Sequence, residues 1–175
     1  MHISRSDFEK LVDWEPVDPS FEFGPHQCYQ ARVSPIFDSI EKLSGARLYV
    51  ENDGGLSNYA SAFVCQEKKE VGELTGIYVY LSLLMPLAAM GRGGACITEN
   101  SWGYDSLEPS AVLQEKDCSS PLERLIAEII VSNGYELLSP EQANEKLPEG
   151  IVPYEYCLNS PPWDRVFHVL FSDTD

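Results

Sequence analysis

Ser119-Ser120-Pro121-Leu122-Glu123-Arg124-Leu125-Ile126-Ala127-Glu128-Ile129-Ile130-Val131-Ser132-Asn133-Gly134-Tyr135 reads as one amphipathic helix with both of its ends specified. Ser120 is placed as the N-cap, Pro121 fits the first turn, and Glu123 stands where the acid of a capping box belongs. Leu122, Leu125, Ile126, Ile129 and Ile130 recur at i, i+3, i+4, i+7 and i+8, which is one apolar stripe at helical period. Asn133-Gly134 stops the helix, because glycine takes the left-handed conformation that a helix end requires, and Tyr135 can fold back over the last turn. A stripe of this kind must be buried against another layer.

That layer lies upstream, in the β-rich middle of the chain. Thr75 to Leu84 is the strongest strand, with Ile77, Val79, Leu81 and Leu83 on one face and Tyr78, Tyr80 and Leu84 on the other. Apolar residues on both faces predict a central position in a sheet. Tyr59 to Glu67 alternates as a second strand, Arg47 to Glu51 is a third, and Asn52-Asp53-Gly54-Gly55 is a turn between them. Gly91-Arg92-Gly93-Gly94 is read as a reversal that returns the chain through Ala95 to Glu99 as a shorter strand. Met85 to Met90, apolar and broken by Pro86, is assigned to the core.

Two short helices precede the strands. Ser6-x-x-Glu9 is a capping box before Phe8, Leu11 and Val12. Ser34-Pro35 opens the second, with Ile36, Phe37, Ile40 and Leu43 on one side and Gly45 as its end. After the organising helix, Ser139-Pro140-Glu141-Gln142 starts a small helix, and Val166 to Phe171 is expected to be a final strand. The predicted fold class is therefore α+β, with a mainly antiparallel sheet and helices packed on one face, in a single domain over residues 1–175.

Charge restricts the partners. The 175 residues carry 28 Asp and Glu against 12 Lys and Arg, a net charge of −16. Nucleic acid is excluded as an expected ligand, because phosphate contacts need basic patches. The imbalance is uneven: residues 1–90 hold 13 acids and 7 bases, residues 91–175 hold 15 acids and 5 bases. Five cysteines without a Cys-x-x-Cys pair, together with the lack of a secretory leader or spanning segment, predict reduced thiols in a cytoplasmic protein that does not enter a membrane.

Catalytic signatures are missing from the sequence. His2, His26 and His168 stand at no metal-ligand spacing, His26-Gln27-Cys28 places a base and thiol too close in sequence for a nucleophilic pair, and no Gly-x-Ser-x-Gly elbow occurs. The glycine run around Arg92 lacks the Gly-Lys-Ser/Thr of a phosphate loop. No catalytic residue, metal or cofactor is expected. Aromatics in polar surroundings remain, because large rings dominate binding hot spots. Trp102 and Tyr104, flanked by Glu99, Asp105, Glu108, Glu115 and Asp117, make the candidate surface for a basic or neutral protein partner.

Gly134-Tyr135-Glu136-Leu137-Leu138-Ser139-Pro140-Glu141, linking two late helices, and the apolar end Val166-Phe167-His168-Val169-Leu170-Phe171 resemble bacterial immunity proteins of polymorphic toxin systems. The resemblance implies a binding protein that neutralises a toxin. A small enzyme with a dispersed site and a structural homo-oligomeric subunit are the alternative classes, the first marked by a deep pocket with perturbed groups, the second by a large apolar interface.

Overall fold

Gly72–Ser82 (β3) lies in the middle of a curled sheet in the structure, a computed structural model that describes residues 3–21, 29–51, 57–67, 71–99, 101–104, 106–153 and 161–172. The other strands are Arg47–Glu51 (β1), Tyr59–Cys65 (β2), Leu87–Ile97 (β4) and Trp102–Tyr104 (β5). The order is β1-β2-β3-β4-β5, each strand antiparallel to the next. Glu136–Leu137 (β6) adds a short parallel pairing to the start of β4. The fold is α+β. The turn expected at Asn52 to Gly55 lies outside the described residues.

Alternation along β2 and β3 splits the core in two. Ala60, Ala62, Val64, Ile77, Val79 and Leu81 face the helices Ser34–Glu41 (α2) and Pro121–Ser132 (α3). Tyr59, Phe63, Tyr78 and Tyr80 face the other way. The small and branched side chains let α2 and α3 approach closely, while the rings fill a thicker layer. Rings there meet at close range: Tyr59 and Tyr80 are 5.0 Å apart between centroids, Phe63 and Tyr78 5.5 Å.

The expectation of helices on one face holds for α2 and α3. The aromatic face is closed by Arg5–Val12 (α1), Pro140–Asn144 (α4) and Val166–Leu170 (α5). The last of these was expected as a strand. Val166, Phe167, His168, Val169 and Leu170 are all buried, and a short apolar run enclosed on every side carries no period that separates a helix from a strand. The cap of α1 also differs, formed by Ser4 and Asp7 and not by Ser6 and Glu9. The Asp7 carboxylate accepts from the Ser4 backbone N–H at 2.9 Å, and the Ser4 hydroxyl accepts from the Asp7 N–H at 3.3 Å.

Helix α3 is capped as its sequence dictates. The Ser120 hydroxyl accepts from the Glu123 N–H at 3.1 Å, and Gly134 ends the segment at φ +87°. Tyr135 is buried, and its hydroxyl donates to the Ser82 carbonyl at 3.1 Å. The buried arc is turned, however, by about 60° from the expected stripe. Leu122, Glu123, Ile126, Ala127 and Ile130 face inward, Leu125 is 43% exposed, and Ile129 packs only at the margin. Ala127 lets the helix sit close to the sheet, and Glu123 is drawn inward by Arg92.

Gly91-Arg92-Gly93-Gly94 is not a turn. It is the middle of β4, paired with Tyr78, Ile77, Gly76 and Thr75 of β3. The chain reverses earlier, through Leu83 to Pro86, and Met85 is buried there. The glycines serve close approach: a Cβ on Gly93 would overlap the Tyr78 ring, and one on Gly91 would overlap Leu107. Tyr78 crosses the gap left by Gly93, and its hydroxyl donates to the Gly94 carbonyl.

Two expectations follow for stability in urea melts. Ile126→Ala should cost about 2–5 kcal/mol, the usual range for a buried branched side chain, while Leu125→Ala should cost under about 0.5 kcal/mol. Equal losses at both positions would reject the turned arc. Gly93→Ala should cost about 1–3 kcal/mol through overpacking, and a Tyr78→Ala background should absorb most of that cost. Additive losses in that double-mutant cycle would mean that the ring and the glycine do not meet.

Candidate functional site

The described members of the expected surface lie on three segments of the chain. Glu99 is exposed at the hairpin that joins β4 to β5. Trp102 begins β5 opposite Ile97 and is half-buried against the aromatic core. Its ring lies 5.5 Å from that of Tyr49 on β1, which in turn lies 6.5 Å from Phe63. Strands at opposite ends of the sheet order therefore meet through their rings, because the sheet curls around the aromatic face.

The remaining acids lie elsewhere. Glu115 and Asp117 are exposed in the 3-10 turn Glu115–Asp117, just before α3. The Asp117 carboxylate accepts from the Gln114 N–H at 3.2 Å, which makes it part of that turn. Glu108 is exposed before the 3-10 turn Pro109–Ala111. Tyr104 pairs through its backbone with Ala95, while its side chain and all of Asp105 lie outside the described residues. Glu99 and Trp102 share one end of the sheet, and Glu115 and Asp117 share the start of α3.

Beside Trp102 the sheet opens into a groove of about 850 Å³, lined by Glu67, Glu73, Thr75, Gly94, Cys96 and Trp102. Glu73, Thr75 and Cys96 are exposed on the face that α2 and α3 cover farther along β3 and β4. Two carboxylates thus border a floor of small side chains, while Trp102 lines the groove from β5 with its ring turned to the aromatic face beside Ile97. Sequence reading identified Trp102 but missed Tyr49, Glu67 and Glu73. The charged stretch around Glu67 and Glu73 reads as an ordinary hairpin end, and nothing local couples β1 to β5.

Next to this groove, Glu123 forms the shortest ion pair among the described residues, with Arg92 at 2.6 Å. Its side chain accepts from Arg92 Nε at 2.6 Å and Nη2 at 3.0 Å, from the Ser119 N–H at 2.6 Å and from the Ser120 N–H at 3.0 Å. The Arg92 hydrogen bond, aided by these backbone donors against the cost of burial, holds the carboxyl down at about 2. Arg92 also donates to the Ser119 hydroxyl at 3.0 Å and the Asp117 carbonyl at 3.1 Å. A guanidinium so engaged, on a strand and not a loop, removes the reading of the glycine run as an anion cradle.

The buried thiols Cys65 and Cys118 and the described imidazole are also committed to structure. Burial pushes the Cys65 and Cys118 thiols up, away from the thiolate form a nucleophile requires. His168 Nδ1 accepts from the Arg165 N–H at 3.2 Å as a cap of α5, and burial lowers its basicity. His26, Cys28 and Cys157 lie outside the described residues. Among the described residues, no helix is long and apolar enough to cross a membrane, and no group of three His, Cys, Asp or Glu could hold a metal ion. Comparison with protein-family models, curated proteins and solved structures returned no match.

The Glu123 carboxylate carries a pH expectation with a definite sign. Its folded-state pKa lies below the unfolded value, so its contribution is complete above about pH 4.5 and is lost as pH falls towards 2. With allowance for the half-exposed Arg92, the contribution is about 2 kcal/mol. Stability curves of wild type and Glu123→Gln should therefore converge over that window. A constant gap between them from pH 6 to pH 2 would show that the carboxylate is not held down by Arg92.

Proposed function

We propose that this chain is a protein-binding module that takes a basic or neutral protein partner at the Trp102 groove and acts as an inhibitor of the immunity type, neutralising a toxin. The observation that carries the reading is the placement of Trp102. A large ring, half-buried against Tyr49 on a strand that lines an open groove, can bury its remaining surface on a partner at little entropic cost. Glu67 and Glu73 in the groove and Glu99 at its end supply short-range charge, and the net −16 supplies a long-range field. Such a field speeds encounter with a basic protein, whereas the ring governs how long the complex lasts. The toxin-neutralising role rests on the resemblance of the late helical link and the apolar C-terminal stretch.

Binding kinetics against the protein that co-purifies from the native host test this reading. Trp102→Ala should raise the dissociation rate about tenfold or more and leave association nearly unchanged. Glu67→Gln, Glu73→Gln and Glu99→Gln together should slow association and flatten its salt dependence, while Glu115→Gln with Asp117→Asn should do neither. If Trp102→Ala lowers the melting temperature yet leaves both rates alone, the ring is only packing and the groove is not the interface.

A further inference from the structure

We infer that β1 pairs with β1 of a second copy of this chain, antiparallel about a two-fold axis at Tyr49, so that two sheets join edge to edge. The inference is independent of the role given to the Trp102 groove. Among the described residues β1 is the end of the sheet order and has β2 as its only neighbouring strand.

The direction of its backbone groups follows from hydrogen-bond alternation. In an antiparallel sheet, the N–H and C=O of one residue point to the same side, and successive residues alternate. The Thr98 N–H donates to the Ser101 carbonyl at 2.8 Å, so Cys96, two residues earlier on the same strand, also turns its backbone groups towards β5. Met90 and Ala88, of the same parity, accept on that side from Leu113 at 2.8 Å and Leu138 at 2.9 Å. Gly91 and Ala89 therefore bond to β3, through Tyr78 and Tyr80. Ile77, Val79 and Leu81 then bond to β2, through Val64, Ala62 and Ala60. Phe63 and its alternates are left to bond Arg47, Tyr49 and Glu51. Leu48 and Val50 consequently point their N–H and C=O groups away from the sheet.

A two-fold pairing centred on Tyr49 uses both outward residues. Leu48 of one copy faces Val50 of the other, twice, giving four backbone hydrogen bonds. The same register sets Arg47 opposite Glu51 at both ends and Tyr49 opposite Tyr49 in the middle. Arg-Leu-Tyr-Val-Glu is thus complementary to itself, with opposite charges in the closely spaced non-hydrogen-bonded pairs. A shift of one residue would set outward groups against inward ones. Glu51 already accepts from the Ser61 hydroxyl at 2.9 Å, and a carboxylate has room for further donors. Charged residues often protect an edge strand from association. Here their signs match across the axis, and β1 is partly buried along most of its length, with Leu48, Tyr49 and Val50 between the charges.

Sedimentation equilibrium of the full chain at about 0.15 M salt, where the field of the whole molecule is screened beyond about 8 Å, reads the outcome. The mass should rise from 19.6 kDa to twice that value as concentration increases towards about 1 mM, as a small edge interface requires. Arg47→Glu and Glu51→Arg should each weaken the dimer about tenfold or more, and the double variant should restore it. Val50→Pro, which removes an outward N–H at a position where an edge strand tolerates proline, should abolish it with the fold retained in melting curves. A 19.6 kDa species at every concentration overturns the inference. A dimer indifferent to the single charge reversals overturns it too, as does a double variant that melts like wild type but stays monomeric.

Discussion

The Glu123 carboxylate joins the long helix to the sheet, and the placement of its neighbours depends on that contact. It belongs at once to the helix cap, through Ser119 and Ser120, and to strand β4, through Arg92. A buried carboxylate without such partners would cost several kcal/mol, so the helix must start where Arg92 can reach it. Arg92 remains half-exposed, which limits the desolvation cost to one side of the pair. The constraint turns the inward arc of α3 towards Glu123 and Ala127, leaving Leu125 in solvent. It also orders the Asp117 to Ser119 segment, whose carbonyl and hydroxyl groups accept from the same guanidinium.

On the opposite side of the sheet, the equivalent constraint is steric. Tyr78 lies where a side chain on Gly93 would be, and Phe63 crosses Gly76 in the same way. Rings laid over glycines shorten the distance between neighbouring layers and favour a sheet that curls towards them. Through that curl, Trp102 of β5 meets Tyr49 of β1. A flat sheet with the same strand order would hold these rings several strands apart.

The geometry bears directly on binding. Acids adjacent in sequence after residue 98 divide between the hairpin end of the sheet and the start of α3, because the chain passes from β5 through the turns at 109–111 and 115–117 to reach the helix. Glu67 and Glu73 come to border the Trp102 groove from a different part of the chain. The surface we assign to a partner is therefore assembled from β3, β4, β5 and the segment after β2, and its charge comes largely from residues that local reading treats as solvated loop.

Local signals determined much of the architecture. The capping box at Ser120 and Glu123, the stop at Gly134, the alternation of Tyr78 to Leu81 and the edge strand Arg47–Glu51 are each specified within a few residues, because capping and period depend on near neighbours. The tertiary structure decided the rest. Gly91 to Gly94 became strand because a ring from the adjacent strand needed its space, and Val166 to Leu170, buried on every side, carries no period by which its sequence could announce a helix. Tyr49 found Trp102 because the sheet curls. In each case the deciding contact comes from a segment distant in sequence, and the energy of a close-packed interior depends on which surfaces meet, a property no local window of sequence contains.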